Sequence, residues 1–392
     1  MEPRVLVIFG TSAEWIKLKP IVMRLIERSV SVQLLRTFQQ YGGAEEDVDL
    51  YSSVDLRRDP RQQSLSSVRS ACLWSLRIIP RMGMYFWRTK RAGPRLVVVH
   101  GDTMTAAIGA IVAKAMNLQV AHVEAGLRSG SLRSPFPEEI CRIIIGVLAD
   151  IHFAPNQEAV EVLKGGHRRS RKIVMTEGNT SFDALRDAIS HGSTEEAAPS
   201  ECADDDFSNR ALNILCVLHR AELMLEREAV TRVWHAIAEI AASHRVLWVC
   251  DDFARANLRR EGLLSEQSCY SNDVLNPADL FLSKAGDIRV IQKQTHSKFV
   301  ELLRHANLVI TDSGGLQEEC AALGKPCVVL REVSERPDGI GENVVLLPPN
   351  DVVQLSEIVH SYKSMRRPVV MRGRSPSDVI VNELLVHLGG VE

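Results

Sequence analysis

The segment 308–330 has the pattern of a strand, a small-residue turn and a helix, which together can bind phosphate. It reads LVITDSGGLQEECAALGKPCVVL. Ser313, Gly314 and Gly315 follow the apolar strand and permit a close backbone approach at the start of the predicted helix. We expect that helix to end near Gly324, because glycine favours the conformation that closes helices. Free N–H groups and the positive end of the helix dipole attract anions, so the segment predicts a site for a phosphorylated ligand.

Acidic side chains follow two predicted strands in the segment 97–142. Asp102 closes the sequence LVVVHGD, Glu124 comes directly after QVAHV, and Glu138 lies in the loop that follows. In open parallel sheets, ligands bind outside the carboxyl ends of the strands, where Asp102 and Glu124 would lie. Carboxyl groups in such a position can act as general acids and bases. Nucleotide binding combined with carboxylate chemistry is therefore the first hypothesis.

The composition is that of an ordinary soluble globular protein, with 392 residues, 45% hydrophobic and 24% charged. That length is enough for two domains with full cores. The net charge of −2 gives no reason to expect nucleic acid as a partner. The eight cysteines lack metal-site spacing, so we interpret them as reduced, mostly buried thiols in a cytoplasmic protein without a bound metal. The early strand VLVIFG leaves no room for a signal peptide, and no apolar run approaches the roughly 18 residues that span a bilayer.

Apolar runs alternate with longer helical patterns along the chain, which is typical of parallel sheets covered by helices on both faces. A stretch at 189–209 is rich in small and acidic residues and lacks periodicity. We therefore predict α/β domains over residues 1–188 and 210–370, with a linker or solvated loop over 189–209. The final segment, 371–392, contains an amphipathic helix. The predicted strands are VLVIF, SVQLLRT, LVVVH, QVAHVE, DIHFAP and KIVMTEG in the first domain, and LNILCVL, RVLWVC, DIRVI, NLVIT, PCVVL and NVVLL in the second.

Long, ordered motifs make the chain resemble the non-hydrolysing UDP-N-acetylglucosamine 2-epimerases over nearly its whole length. They are GTSAEWIKLKP at 10–20, HGDT at 100–103, HVEAGLR at 122–128, SPFPEE at 134–139, GNTSFDAL at 178–185, TDSGGLQEE at 311–319 and ERP at 335–337. The resemblance implies a glycosyltransferase-B type fold, in which two Rossmann-like domains face a central cleft and the C-terminal helix crosses back to the first domain. It also implies a homodimer, no metal and no redox cofactor.

The resemblance further implies an activity, the interconversion of UDP-N-acetylglucosamine (UDP-GlcNAc) and UDP-N-acetylmannosamine (UDP-ManNAc). In the family, UDP is eliminated to leave a 2-acetamidoglucal and is then added back. The positions that match the family's acid/base and active-site residues are Asp102, Glu124, Glu138, His219 and Lys17. Which carboxylate removes the proton and which returns it stays open. The positions that match its UDP-binding residues are Gln294, Phe299, Ser313, Gly314, Gly315, Glu319 and Arg336.

Several of these residues also have a purely structural interpretation. Asp102 could be a helix N-cap, and Glu138 could be a first-turn acid that complements the helix dipole. His219 could be a hydrogen-bonded core histidine, and Phe299 by itself has the character of a core residue. For Glu124 this alternative is weaker, because a carboxylate next to a buried strand is costly unless it has a partner.

The chain departs from the family pattern at positions near the sugar phosphate. Ser12 and Ala13 replace an arginine and a proline of the first motif, so Lys17, Arg128 or Arg133 would have to compensate for the missing charge. The positions of a second, activating UDP-GlcNAc site also differ, which predicts that this site is lost. The replacements there are Phe38, Gln39 and Gln40 for G-Q-H, Ala221 in the H-R-R-E motif, and Asp251 and Asp252 near the missing H-x-N-P motif.

Three other functions stay open, two because of these departures and one because of the predicted fold. A hydrolysing relative would release UDP and free N-acetylmannosamine, because water would attack the glycal. A catalytically impaired protein would bind a UDP-sugar without converting it. A glycosyltransferase is suggested by fold analogy alone, which does not establish function.

The region 60–101 contains no acidic residue, and its arginines and lysine are interleaved with Trp74, Tyr85, Phe86 and Trp87. A basic, aromatic helix can lie on an anionic membrane surface. Pro80 is expected to interrupt that helix. A solvated face or a dimer contact is the commoner outcome, so membrane contact is the minor alternative here.

Overall fold

The structure is a computed structural model that describes most of the chain. The described residues are 5–39, 51, 53–56, 68–89, 94–130, 137–165, 171–191, 211–264, 288–334, 336–369 and 373–389. The chain divides into two compact units, a first unit of Met1–Ala184 with Gly373–Glu392 and a second unit of Leu185–Arg372. Of the linker predicted over 189–209, residues 192–209 lie outside the described part.

The first unit is built on a parallel sheet. Its described strands are β1 (Val5–Phe9), β2 (Val32–Arg36), β3 (Ser53–Asp55), β4 (Leu96–His100), β5 (Gln119–Val123), β6 (Ile151–Ala154) and β7 (Lys172–Met175). Their order is β3-β2-β1-β4-β5-β6-β7, and every neighbouring pair is parallel. Strands β1, β4 and β6 are buried along their full length. They read as continuous apolar runs because both faces of the sheet are covered.

Helices cover both faces of this sheet. They are α1 (Ser12–Glu27), α2 (Val68–Thr89), α3 (Met104–Ala115), α4 (Glu138–Leu148), α5 (Gln157–Lys164) and α6 (Ser181–His191), which continues into the second unit. In β1, Val5, Val7 and Phe9 join the core layer under α1. Leu6 and Ile8 join the opposite layer under α2, α3 and α4. Alternate side chains of one strand therefore fill two separate layers.

Helix α2 is continuous through Pro80, so the predicted interruption is wrong. Four side chains spaced four residues apart lie in the core on its inner face, namely Trp74, Ile78, Met82 and Phe86. Pro80 lies exposed on the outer face, where the carbonyl that loses its helical partner can reach water. The outer face also carries exposed apolar side chains, which are Leu73, Leu76, Ile79, Met84 and Trp87. Membrane contact by this helix stays the minor alternative to a solvated face or a dimer contact.

The second unit repeats the same plan. Its described strands are β8 (Asn213–Val217), β9 (Arg245–Cys250), β10 (Ile288–Gln292), β11 (Leu308–Thr311), β12 (Cys327–Leu330) and β13 (Val344–Leu347). Their order is β10-β9-β8-β11-β12-β13, again with parallel neighbours. The helices are α7 (Ala221–Met224), α8 (Arg227–Ala241), α9 (Asp252–Arg260), α10 (His296–His305), α11 (Gly314–Ala322), α12 (Leu355–His360) and α13 (Tyr362–Met365), with a 3₁₀ helix at Pro349–Gln354.

The last helix, α14 (Pro376–His387), belongs to the first unit. Its Ile380, Val381 and Leu384 are buried in the core layer under α1. The backbone N–H of Ser377 donates to Asp183 Oδ2 at 2.7 Å. The predicted fold class is therefore confirmed, with two Rossmann-like α/β units and a C-terminal helix that returns to the first.

The strand order of each sheet contains a point where the direction of winding reverses. In the first unit the reversal lies between β1 and β4, and in the second between β8 and β11. Open α/β sheets bind ligands at this point, beyond the carboxyl ends of the strands. We call the turns after β1 and β4 the first switch point, and the turns after β8 and β11 the second switch point.

Two predictions from composition can be compared with the described residues. Five of the six cysteines in this part are buried, Cys72 is exposed, and all six are free thiols. No described helix combines the length and the apolar character needed to cross a membrane.

Candidate functional site

The first switch point begins with a buried carboxylate that closes the turn after β1. Glu14 Oε2 accepts hydrogen bonds from the backbone N–H of Gly10 at 2.9 Å and of Thr11 at 3.0 Å. Thr11 is the N-cap of α1, and its hydroxyl accepts from the N–H of Glu14. A Cβ on Gly10 would lie 2.2 Å from Thr105 Oγ1, so only glycine fits between the two turns. This close approach brings the turn after β1 against the start of α3.

Asp102 follows β4 and is held by an arginine from another helix. Its Oδ2 accepts a hydrogen bond from Nη2 of Arg142 in α4. Arg142 is buried, and its Nη1 also lies 3.5 Å from Glu139 Oε2. The N-cap of α3 is Thr103, whose hydroxyl accepts from the N–H of Ala106 at 3.0 Å. The interpretation of Asp102 as a helix cap is therefore wrong.

Glu124 sits at the end of β5 with a strained backbone and a close cation. Its φ is +62°, in the left-handed region that residues other than glycine rarely adopt. The carboxylate is buried, and Oε2 lies 2.6 Å from Nζ of Lys17 on α1. His100 Nε2 lies 3.4 Å from the same oxygen. Lys17 and Glu124, which the sequence placed in the site independently, are thus in direct contact.

Glu138 is the first residue of α4 and is half-buried. Its neighbour Glu139 is buried and accepts from the backbone N–H of Ser129 at 3.1 Å. One turn along α4, burial and, to a smaller extent, the charges of Asp102 and Glu138 raise the pKa of the Cys141 thiol to about 12. The carboxylates of Asp102 and Glu138 therefore both lie near the first turn of α4.

A neutral histidine supports the turn that carries Asp102. His122 on β5 donates from Nε2 to the carbonyl of Gly101 at 2.7 Å. Burial first, and then the nearby His152, lower the pKa of His122 to about 3. The ring is therefore neutral near pH 7, which leaves one nitrogen as donor. Gly101 adopts φ +63° beside it.

The second switch point contains the helix start that the sequence predicted. Ser313 is the N-cap of α11, and Gly314 and Gly315 form its first turn. No side chain or backbone atom crowds a Cβ built on Gly315, since the nearest is Ser313 Oγ at 3.9 Å. The helix ends at Ala322, and Gly324 follows at φ +59°, as expected.

Asp312 links the two turns of the second switch point. The buried carboxylate accepts from the backbone N–H of His219 at 2.9 Å and of Arg220 at 2.8 Å. The His219 ring stands 3.6 Å from Asp312, and 39% of its side chain is exposed. The alternative interpretation of His219 as a core histidine is therefore wrong.

The other predicted UDP residues of the second unit lie on or beside α10 and α11. Glu319 is buried on α11, and its Oε1 lies 3.5 Å from His296 Nε2 at the start of α10. Gln294 precedes α10 and donates to the carbonyl of Gln292 at 2.7 Å. Phe299 is half-buried and packs on the core beneath α10 and α11.

The guanidinium of Arg336, a predicted UDP-binding residue, is paired within the protein. It is buried, and Nη1 donates to Glu318 Oε1. Gln317 Nε2 fixes the same loop by donating to the carbonyls of Arg336 at 2.9 Å and Asp338 at 3.1 Å. Any contact of Arg336 with UDP would use its other donors.

Comparison with known proteins identifies the family. A family model described as UDP-N-acetylglucosamine 2-epimerase matches residues 76–375, more than half of the chain. The chain belongs to this family. The UDP-N-acetylglucosamine 2-epimerase of Salmonella typhimurium is 32% identical over 378 residues, which cover 93% of each chain.

Solved epimerase structures share the fold along the full chain. The structure of UDP-GlcNAc 2-epimerase from Neisseria meningitidis bound to UDP-GlcNAc gives a TM-score of 0.75 at 28% identity, covering 97% of this chain and 99% of that one. The Methanocaldococcus jannaschii enzyme in complex with UDP-GlcNAc and UDP gives 0.74 at 26% identity, covering 98% and 99%. The resemblance to UDP-GlcNAc 2-epimerases is confirmed, and with it the assignment of the chain to an isomerase family.

The structure describes several of the residues that depart from the epimerase pattern or would compensate for a departure. Ser12 is the buried first residue of α1. Of the proposed substitutes for the missing arginine, Lys17 contacts Glu124, and Arg128 Nε lies 3.7 Å from Glu139 Oε1. Arg133 lies outside the described residues.

In the altered activator motifs, Gln39 accepts from the N–H of Thr105 at 2.8 Å. Asp251 is the N-cap of α9. Ala221 is the first residue of α7. Gln40 lies outside the described residues.

Sequence reasoning missed four residues that contact the predicted site residues or the turns that carry them. They are Arg142 on Asp102, Glu14 on Thr103, Asp312 on the His219 turn and His296 on Glu319. Arg142 could have been found, because it lies four residues after Glu138 and therefore on the same helix face. The contacts of Glu14 and Asp312 depend on which strands are neighbours, and the contact of His296 depends on how α10 and α11 pack.

Proposed function

We propose that this chain interconverts UDP-GlcNAc and UDP-ManNAc at C2 by eliminating UDP and adding it back to a 2-acetamidoglucal. The observation that carries the proposal is the charge arrangement of the first unit. Asp102 and Glu124 follow neighbouring strands, and each carboxylate contacts a cation, Arg142 or Lys17. Relatives with 26–28% identity have been solved with UDP-GlcNAc bound.

The reaction explains why such carboxylates are needed. The hydrogen at C2 is scarcely acidic unless the anomeric C–O bond breaks as well, so departure of UDP supplies the driving force. One carboxyl group accepts the C2 proton, and a carboxyl group on the other face of the glycal returns a proton when UDP adds back. Asp102, Glu124 and Glu138 are the candidates. Lys17 stabilises the charge on Glu124 in the part of the site where the proton moves.

The second unit supplies the binding site for UDP. The first turn of α11 offers free backbone N–H groups and a positive dipole end to the pyrophosphate. Glu319 is suited to the two ribose hydroxyls, and Phe299 to packing against a ring. Holding the departing UDP in this way stabilises the charge that develops on it.

Proton NMR in deuterated water with UDP-GlcNAc tests the proposal. Deuterium at C2 together with a new anomeric signal supports epimerisation. Release of UDP and free N-acetylmannosamine would show a hydrolase, which the replacement of an arginine by Ser12 makes worth testing. No reaction, with UDP binding retained in calorimetry, would show a UDP-sugar-binding protein. A change only when an acceptor is added would show a glycosyltransferase. The homodimer and the cytoplasmic location remain predictions.

A further inference from the structure

We infer that Glu14 is a positioning residue for this reaction, because it fixes the place of Asp102 through the hydroxyl of Thr103. The inference rests on the proposed function for its kinetic consequence, while its structural part stands separately. Glu14 lies in the turn after β1, and Thr103 lies in the turn after β4. The contact therefore crosses the first switch point.

The two oxygens of the Glu14 carboxylate serve different turns. Oε2 accepts from the N–H of Gly10, the N–H of Thr11 and the hydroxyl of Thr11, the last at 3.1 Å. Oε1 accepts from the hydroxyl of Thr103 at 2.6 Å. A capping box alone needs only the first set. The bond to Thr103 is therefore additional to closing the helix start.

Thr103 passes this constraint on to Asp102. Its hydroxyl donates to Glu14 and accepts from the N–H of Ala106, so both of its hydrogen-bonding roles are used and its rotamer is fixed. Asp102 is the preceding residue, and its carboxylate is held by Arg142 from α4. Asp102 is thus held in two ways. Glu14 on α1 fixes its backbone through the adjacent Thr103, and Arg142 on α4 fixes its side chain.

The charge state of Glu14 matters for this role. Burial raises its pKa from 4.5 to about 7, against the hydrogen bonds from Thr103, Gly10 and Thr11, which lower it. The thiol of Cys141 on α4 lies close enough to respond to its charge. The ionised carboxylate accepts all of these bonds. Protonation turns one oxygen into a donor, which opposes the donors already present.

The test compares Glu14→Gln and Thr103→Val with two matched controls. Glu27→Gln changes an exposed glutamate on the same helix, and Thr103→Ser keeps the hydroxyl. We expect the first pair to lower kcat roughly tenfold to hundredfold, as expected for a displaced catalytic group, with unchanged UDP affinity. The controls should match the wild type. Thr103→Val also removes a helix cap, so Glu14→Gln, which keeps that cap, is the decisive variant.

A pH profile separates positioning from loss of folding. Wild-type kcat should fall as the pH drops through about 7, because Glu14 becomes protonated, and this limb should be missing in Glu14→Gln. Unchanged kcat in Glu14→Gln, or a loss of folded protein with normal kcat in the folded fraction, would overturn the inference.

Crystal structures of the variants decide the structural part even if the wild type shows no epimerisation. In Glu14→Gln we expect the Asp102 carboxylate to move out of hydrogen-bonding distance of Arg142. An Asp102 that stays in place would overturn the positioning role. An inactive wild type with a displaced Asp102 in the variant would instead overturn the proposed function and leave the positioning role standing.

Discussion

At each switch point a buried carboxylate joins two turns, but the two carboxylates accept hydrogen bonds from different kinds of donor. In the second, Asp312 joins the turns by accepting from the backbone N–H groups of His219 and Arg220. In the first, Glu14 joins them by accepting from the side-chain hydroxyl of Thr103. A backbone N–H is present in every residue except proline, whereas most substitutions of a threonine remove its hydroxyl. The first switch point therefore depends more strongly on its sequence.

The difference follows from what each sheet edge carries. The first has ion pairs in which one partner is buried, Glu124 in the pair with Lys17 and Arg142 in the pair with Asp102. Buried charges are stable only with partners, so their positions depend on other side chains. The second presents the N–H groups of a helix start, which need no counter-charge of their own. We infer that the first edge performs the chemistry and the second holds the ligand.

The largest effect should come from removing one carboxylate charge at the first switch point. We expect Asp102→Asn and Glu124→Gln each to lower turnover by at least roughly a hundredfold, because a general acid or base is lost. UDP affinity should stay unchanged, since the proposed UDP site lies in the second unit. Glu138→Gln should act in the same direction. NMR rates and calorimetry measure the two quantities, and near-normal turnover in the first two variants would remove them from the chemistry.

A comparable effect should appear in the pH dependence of folding. The pKa of Glu14 is raised to about 7 in the folded state, so its contribution to stability is fully present below its unfolded value of 4.5 and is lost as the pH rises through 7. The difference in unfolding free energy between the wild type and Glu14→Gln should therefore change by roughly 3 kcal/mol from about pH 4 to about pH 8. Urea unfolding at both values measures it. A constant difference would mean that the pKa of Glu14 is not raised in the folded protein.

The second switch point should respond in affinity instead. We expect Glu319→Ala and Arg336→Ala each to weaken UDP binding by roughly 1.5 to 3 kcal/mol, if each loses a charge-assisted hydrogen bond. Because Arg336 is paired with Glu318, its loss should also destabilise the fold, so Glu318→Gln serves as the control for that part. Unchanged UDP affinity in both alanine variants would place the pocket elsewhere.

A smaller effect is expected from Asp312. Asp312→Ala should destabilise the second unit by roughly 1 to 3 kcal/mol, because two backbone donors lose their acceptor. Asp312→Asn keeps one acceptor oxygen and should cost less. Thermal unfolding of the two variants ranks them. Equal losses would show that the carboxylate charge, rather than the acceptor geometry, joins these turns.

No effect at all is expected from added activator. With Ala221 and the missing H-x-N-P motif, the enzyme should convert UDP-ManNAc without added UDP-GlcNAc, and its rate against UDP-GlcNAc should be hyperbolic. Regulation requires a second ligand with differential contacts to two states. A lag that trace UDP-GlcNAc abolishes, or a sigmoidal curve, would show that Gln39 and its neighbours rebuild the site.

The sequence predicted the sheets far better than the contacts between side chains. Every predicted strand is present, because buried parallel strands read as apolar runs. Among the strands that the structure describes, only β3 was missed, a three-residue edge strand that is partly exposed. Pro80 was misjudged because the core side chains of α2 outweigh one lost hydrogen bond.

The helix start at Ser313 and Gly314 could be predicted because a motif fixes it. The partners of the candidate site residues were missed where they come from distant segments. Glu14 and Thr103 are 89 residues apart and meet only because β1 and β4 are neighbours in the sheet. Glu318, in contrast, lies within a recognised motif, yet nothing in that motif shows that it pairs with Arg336.

The left-handed backbone of Glu124 lowers the stability of the fold at a position that carries a candidate catalytic carboxylate. A residue other than glycine in this region costs about 1 to 2 kcal/mol, whereas glycine adopts it without that penalty. Replacing Glu124 by glycine would remove that backbone cost, but it would also leave Lys17 without the carboxylate that lies 2.6 Å away. Breaking a buried ion pair costs about 3 to 5 kcal/mol, so the exchange would not stabilise the protein. Engineering this enzyme for durability must hold position 124 constant and seek its gains on surfaces away from the sheet edges.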